Sequence, residues 1–313
     1  MTWTNSAYEV IETINDEYFF AGSAWNTQIA KRFVLKTKRF GRLIEASYYL
    51  HLDKGKPFNI AFEPSTSFGC SVGCLFCASG TLSPIKALTV SEIVEQVNTL
   101  IAIYRRDFPS YRIREDVFYS GIGEPTLMTN VLIEASARLL EQNPHLQFKM
   151  STMGALPSAL IRWADSELPL RSLQVGIPHW NEDKIKYLYS KCSKYNLHDV
   201  LQHVQMFMAK RPDTAIKINY IVMENYNNSL DDLKRTVEKV IDILGCQIEL
   251  KISCLNPTEF AEQNQLIAVK QQTLETLAAG VQSFGLKKVY TFGPMSKDKL
   301  GCGQLAGNYK LFS

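Results

Sequence analysis

The sequence predicts an α/β fold, a partial (β/α)6 barrel of the TIM type with a small N-terminal α/β extension. Two observations carry this. From about residue 58, short runs rich in β-formers alternate with amphipathic helical patterns, and such alternation implies parallel βαβ units. Six units can be counted, too few to close an eight-stranded barrel. Residues 1–57 do not join the repeat and are read as the extension, leaving 58–313 as the barrel with its C-terminal segment.

In order along the chain, the extension is expected to hold a helix near Tyr8–Tyr18 and two strands, Phe33–Thr37 and Leu43–Leu52. After the first barrel strand come strand-like runs at Asp116–Ile122, Leu146–Thr152, Ser172–Pro178, Ala215–Met223 and Gln247–Leu255. Helical periodicity occupies Thr89–Tyr104, Leu127–Gln142, Leu156–Trp163, Leu197–Met208, Leu230–Leu244 and Gln271–Phe284. Thr89 followed by Glu92 is a capping-box signature. In such barrels the chemistry sits at the C-terminal ends of the strands.

Composition sets the outer limits. Lys and Arg total 34 against 31 Asp and Glu, a net charge of +3, weaker than a dedicated nucleic-acid binder usually shows. One local excess exists: Lys31, Arg32, Lys36, Lys38, Arg39 and Arg42 fall within twelve residues free of acid. It reads either as a solvated strand edge or as a contact for an anionic substrate or RNA. No apolar run nears the roughly 20 residues of a membrane span, and the N-terminus is unlike a signal sequence, so a cytoplasmic protein is expected. An odd cysteine count of seven argues against a disulfide framework and for metal or catalytic use.

Three of those cysteines, Cys70, Cys74 and Cys77, form C-x3-C-x2-C within GCSVGCLFCASG, directly after the first barrel strand. A zinc site or buried thiols are the competing readings, and three cysteines in eight residues are too dense for ordinary core thiols. Zinc generally takes four ligands, often as two C-x2-C pairs, and Cys192, Cys246, Cys254 and Cys302 supply no second pair. The loop, with Phe76 before its last cysteine, resembles that of the radical S-adenosylmethionine (SAM) superfamily. The resemblance implies a [4Fe–4S] cluster on the three thiolates, with a fourth iron open to the amino and carboxylate groups of SAM. Reductive cleavage of SAM then yields a 5′-deoxyadenosyl radical. Gly121–Pro125, GIGEP, follows the next strand; Gly123 permits close approach to backbone, and Glu124 can accept from the SAM ammonium. Ser151 ends the third strand and either contacts the SAM carboxylate or caps the next helix. Asn256, after the sixth, either reads ribose and adenine or forms a turn.

Across roughly residues 42–308 the chain is similar to the RlmN/Cfr family of radical SAM methyltransferases, which act on an adenine of ribosomal or transfer RNA. LIEASY (43–48), the cluster loop, LTVSEIVEQV (88–97), GIGEP, STMGALPSAL (151–160), KYNLHDVLQHV (194–204), Asn256-Pro257 and CGQLAG (302–307) carry the resemblance. It implies that Cys302 is methylated by one SAM and passes the carbon on as a thiomethylene radical generated by a second. The competing reading of Cys302 is an inert thiol. Glu45 matches an acidic residue proposed as general base, against the alternative of a solvent-facing strand residue. An electron donor of flavodoxin or ferredoxin type is also implied.

Departures from the family lie on the substrate side. A cysteine seven residues before the first cluster cysteine, which resolves the covalent adduct by disulfide formation, is here Glu63. Glu63 could deprotonate an adduct but not form the disulfide; Cys192, Cys246 or Cys254 could substitute only if folding brings one near. Most of the family's N-terminal RNA-binding extension lacks a counterpart. The stretch before CGQL, GPMSKDKLG, is altered and longer, and Gly176-Ile177-Pro178 then His179 replaces a Ser-Leu-His run. A divergent paralogue is expected, acting on a smaller RNA, nucleotide, peptide or metabolite. Two other classes stay open: a non-methylating radical SAM enzyme with Cys302 as hydrogen-atom donor, and a non-catalytic cluster or RNA-binding protein.

Overall fold

The computed structural model describes residues 6–19, 27–83, 85–293 and 305–306. Its core is one ten-stranded sheet. Strands β1 (Tyr8–Phe19), β2 (Thr27–Thr37), β3 (Leu43–Asp53) and β4 (Lys56–Pro64) form an antiparallel meander. From β4 the sheet continues in parallel through β7 (Arg114–Tyr119), β8 (Gln147–Thr152), β9 (Leu170–Gly176), β10 (Ala215–Val222), β11 (Glu249–Cys254) and β12 (Lys288–Phe292). β1 and β12 lie at opposite ends of the strand order, so the barrel is open. A two-stranded ribbon, β5 (Ser67–Phe68) with β6 (Lys86–Ala87), brackets the cluster loop.

Six helices follow the periodicities read from the sequence: α1 (Val90–Asp107), α2 (Thr129–Gln142), α3 (Ala159–Asp165), α5 (Leu197–Lys210), α6 (Leu230–Leu244) and α8 (Gln271–Gly280). Two short ones, α4 (Glu182–Leu188) and α7 (Glu259–Gln263), were not anticipated. The capping box of α1 is formed: Thr89 Oγ1 accepts from Glu92 N, and Glu92 accepts from Thr89 N. None of the helices in the described residues is long and apolar enough to cross a membrane.

The extension corrects two expectations. Tyr8–Tyr18 is strand β1, not a helix. Its residues alternate in exposure, with Tyr8 and Val10 packed on the core and Glu9 and Ile11 outward, a period-two pattern. Every described element of the extension is therefore a strand, in the same sheet as the barrel. The basic segment lies on β2 and the turn after it; β2 sits between β1 and β3 and is not an edge. Lys31 pairs with Asp107 at 2.8 Å, Arg39 with Glu92 at 2.6 Å, and Arg32 is buried 4.0 Å from Asp16.

Parallel strands covered on both faces usually read as unbroken apolar runs. Here they alternate. On β10, Ile216, Ile218 and Tyr220 are buried against the helices, whereas Lys217 and Asn219 turn inward. The lumen is accordingly polar. Near its lower end Asp116, fully buried, meets Lys149, Arg114 and Arg171 and accepts from Asn59 Nδ2 at 2.9 Å. Burial outweighs Asp116 in setting the Lys149 ammonium, whose pKa falls to about 8.

Candidate functional site

The cluster loop is folded on itself by glycine. Gly69 and Gly73 have φ of +64° and +63°, and a Cβ on Gly80 would stand 2.9 Å from Gly73 Cα. Cys70 N donates to Ser79 O at 3.0 Å, and Cys77 N to Cys74 O at 3.0 Å. The segment after α4 clamps the loop from outside: Leu75 N donates to Leu188 O, Lys191 N to Val72 O, Ser190 Oγ to Gly73 O and Lys191 Nζ to Gly80 O, all within 3.1 Å. Sequence reasoning missed this clamp, since Ser190 and Lys191 act through backbone carbonyls and carry no motif.

Cys70, Cys74 and Cys77 are half-buried and unbridged. Burial is the largest influence on each thiol and raises its pKa, to about 12 for Cys70. Neighbouring thiols and Glu124 push Cys74 the same way. Thiols so placed are poorly stabilised as anions by the protein alone, and iron would reverse that, because metal ligation favours the thiolate. Among the described residues no three His, Cys, Asp or Glu side chains converge on a single-ion site. The donor set itself, three thiolates within eight residues, suits a cluster that takes one thiolate per iron.

GIGEP packs against the loop after β4. Ile122 O accepts from Thr66 N at 2.8 Å and Ser67 N at 3.2 Å. Gly123 has φ +120°, and a Cβ there would lie 2.1 Å from Thr66 Oγ1. Glu124 is buried, with its carboxylate already engaged: Oε1 accepts from Thr126 N and Oγ1 and from Thr152 Oγ1, and Oε2 from Met153 N. It ties the end of β7 to the end of β8. Burial raises its pKa while those four donors oppose the rise.

At the C-terminal strand ends lies a cavity of about 220 Å³. Glu63, Cys77, Ser151 and Asn256, four residues singled out from sequence, line it together with Phe76. Gln174, Asn219, Lys251 and Ser253 also line it and were not foreseen. Their signal was present: each is a polar residue at an alternate position of an otherwise apolar strand. Gln174 Nε2 donates to Ser151 Oγ at 2.9 Å, and Ser253 Oγ to Asn219 Oδ1 at 2.6 Å. Glu63 stands opposite Ser47 in the β3–β4 register; Ser47 Oγ donates to its Oε2 at 3.2 Å, and Ser120 Oγ donates to its Oε1. Gly123, Glu124, Cys70 and Cys74 are not among the lining residues, and Glu45 stands on β3 close enough to influence Cys77 electrostatically.

Cys302 lies outside the described residues. Leu305 and Ala306 do not: they are 4% and 1% exposed. Ala306 packs with Leu82 and Ile122, Leu43 lies against that group, and Ala306 N donates to Glu45 Oε1 at 2.8 Å. Of the other cysteines, Cys254 borders the cavity, but its thiol donates to Val269 O on the helix-facing side of β11, opposite Ser253. Cys192 packs in the Tyr189–Tyr195 region, within electrostatic range of Glu124, and does not line the cavity. Cys246 sits at the other end of the barrel, against Phe284 O. His179 is buried away from the cavity, with Nδ1 accepting from Asn181 N at 2.9 Å and Nε2 3.2 Å from Asp232. Burial lowers its pKa to about 4, which marks it as a neutral packing residue.

The family model for the radical SAM superfamily matches residues 65–240, more than half of the chain. The dual-specificity RNA methyltransferase RlmN of Lawsonia intracellularis is 25% identical over 284 residues, covering 89% of this chain and 76% of that protein. A probable protein of the same name from Clostridium beijerinckii is 25% identical over 304 residues, covering 94% and 80%. Among solved structures, a radical SAM methyltransferase from Sphaerobacter thermophilus superposes with a TM-score of 0.75 at 18% identity, over 95% of this chain and 81% of that one, which is a likeness of fold. The open parallel barrel agrees with these comparisons, and the chain belongs to the radical SAM superfamily as a divergent, RlmN/Cfr-like member.

Proposed function

We propose that this radical SAM methyltransferase passes a one-carbon unit through Cys302 to an RNA or nucleotide acceptor, with Glu63 taking a proton from the acceptor. The observation that carries the reading is the shared cavity of Glu63, Cys77, Ser151 and Asn256, with Ala306 packed on Leu82 and Ile122 and bonded to Glu45, which acts electrostatically on Cys77. Cys302, four residues upstream, is tethered to that anchor. The RNA acceptor rests on the names of the relatives.

Cys70, Cys74 and Cys77 would hold a [4Fe–4S] cluster, which supplies the electron that cleaves SAM to a 5′-deoxyadenosyl radical, itself delivered by a flavodoxin- or ferredoxin-type donor. Ser151 accepts from Gln174 and so has its own O–H to offer a SAM carboxylate. Gly123 lets its turn pack against the Thr66–Ser67 loop, Glu124 fixes that turn to β8, and Asn256 offers an amide in the cavity to ribose or adenine. Glu63 lines the cavity and receives two hydroxyl donors, Ser47 and Ser120, which orient its carboxylate as a hydrogen-bond acceptor. Glu63 would take the proton from the adduct, while release of the carbon from Cys302 Sγ needs a second thiol to attack that sulfur; among the described cysteines outside the cluster loop, Cys254 borders the cavity, its thiol bonded to Val269 O.

The test is anaerobic reconstitution with methyl-labelled SAM, a chemical reductant and total RNA, read by mass spectrometry of the Cys302 peptide and of nucleosides. Label is expected on both, with S-adenosylhomocysteine formed. Deoxyadenosine without S-adenosylhomocysteine and an unmodified Cys302 would instead assign the thiol to hydrogen-atom donation.

A further inference from the structure

We propose that Glu45 is a positioning residue that anchors the Cys302-bearing segment on the rim, rather than the general base that its place in the family suggests. The inference rests on the reading of Cys302 as carbon carrier. Its own support is separate and lies in residues 305 and 306. Ala306 N donates to Glu45 Oε1 at 2.8 Å across 261 residues of sequence. A carboxylate receiving a main-chain N–H makes a charge-assisted bond, roughly twice as strong as a neutral one.

The anchor is composite. Ala306, 1% exposed, is enclosed by Leu82, Ile122 and Leu43. Leu82 closes the cluster loop, its N–H donating to Ser79 O. Ile122 is the GIGEP residue whose carbonyl holds Thr66 and Ser67. Leu43 and Glu45 come from β3 of the extension, and Glu45 is itself fixed: its N–H donates to Ser65 Oγ, and Ser65 Oγ donates to its carbonyl at 2.6 Å. Ala306 thus contacts the cluster loop, the GIGEP turn and the extension together. Cys302, four residues upstream in the chain, is covalently tethered to it.

The two roles separate with two substitutions. Glu45→Gln keeps an acceptor oxygen for Ala306 N–H but removes the basic carboxylate; Glu45→Ala removes both. Hydrogen–deuterium exchange on the cluster-loaded protein is read for the peptide spanning 301–307, with barrel peptides as the control for folding. Glu45→Ala should speed exchange at that peptide about tenfold or more, and Glu45→Gln less than threefold. Methylation of Cys302 should follow the same order, down at least tenfold in Glu45→Ala and near wild type in Glu45→Gln. Unchanged exchange in Glu45→Ala overturns the anchor. So does a Glu45→Gln protein that keeps its protection yet loses activity as fully as Glu45→Ala, because that pattern belongs to a base. Should Cys302 prove unmethylated even in the wild type, the function proposed above fails while the exchange result still decides the anchor.

Discussion

Gly123→Ala offers a direct test of how the GIGEP turn is built. The added Cβ would lie 2.1 Å from Thr66 Oγ1 and 2.6 Å from Ser67 Oγ, with Ser67 N at 3.3 Å behind them. The position also has φ +120°, where an L side chain costs about 1–3 kcal/mol. Displacing two hydroxyls in a closed site adds about 1–3 kcal/mol of overpacking. The sum is about 2–6 kcal/mol, a large fraction of the 5–15 kcal/mol typical of a domain. Gly55→Ala isolates the first component: φ is +76° and nothing lies within 4 Å of its Cβ. It should cost only about 1–2 kcal/mol. Chemical denaturation of both variants measures the difference, and deoxyadenosine formation should fall in Gly123→Ala alone. Removing the nearest atom with Thr66→Ala should recover part of the loss, a coupling visible in a double-mutant cycle. If Gly123→Ala proved no more destabilising than Gly55→Ala, the tight packing of GIGEP on the Thr66–Ser67 loop would be refuted.

Other outcomes follow from the same geometry. Serine at Cys70, Cys74 or Cys77 should abolish cluster iron and sulfide after reconstitution, whereas serine at Cys246, beyond the far end of the barrel, should leave both intact. Glu63→Ala should depress product formation about 10²–10⁴-fold, the usual contribution of a general base, while deoxyadenosine release stays within threefold of wild type. His179 is neutral in the fold and protonates near pH 4, against 6.5 when unfolded, so the unfolded chain binds the extra proton between those values. Stability is therefore retained above pH 6.5 and falls as pH drops toward 4, by up to about 3 kcal/mol from this group. His179→Asn, which offers an oxygen to Asn181 N, should flatten that part of the profile in denaturation at pH 4 to 7. SAM at a hundred times its dissociation constant should add about 2.7 kcal/mol of apparent stability, and Ser151→Ala should reduce the gain at fixed concentration.

The barrel was legible because its signals are local. Strand runs such as Ala215–Met223 and the capped start of α1 carry their own periodicity, and three cysteines within eight residues define their loop without help from the rest of the chain. The extension was misread because Tyr8–Tyr18 mixes charged and apolar residues in a way that fits either period, and only pairing with β2 decides for strand. The small helices α4 and α7 span seven and five residues, too short for a 3.6 repeat to emerge. At the site, Glu63 and Ser151 stood out by their place in a motif. Ser47 and Ser120 did not, since their importance is a cross-strand neighbour relation with Glu63 that no linear pattern encodes. The three spare thiols could be sorted only once β11 had a face, which put Ser253 and Cys254 on opposite sides.

The unbroken ladder from β1 to β12 has a consequence for how this protein can be cut and recombined. A break between residues 57 and 58, attractive on the linear map, would fall inside β4 and strip it of its antiparallel neighbour. It would also remove Ser47 and Glu45, the partners of Glu63 and Ala306. A raw edge would be left beside the reactive rim, open to pairing with another chain. The first fifty-odd residues are therefore not a detachable module. Shuffling them between relatives should succeed only when the exchanged piece runs through the end of β4, carrying Glu45, Glu63 and the hydroxyl partner of Glu63, Ser47, as a single inherited block.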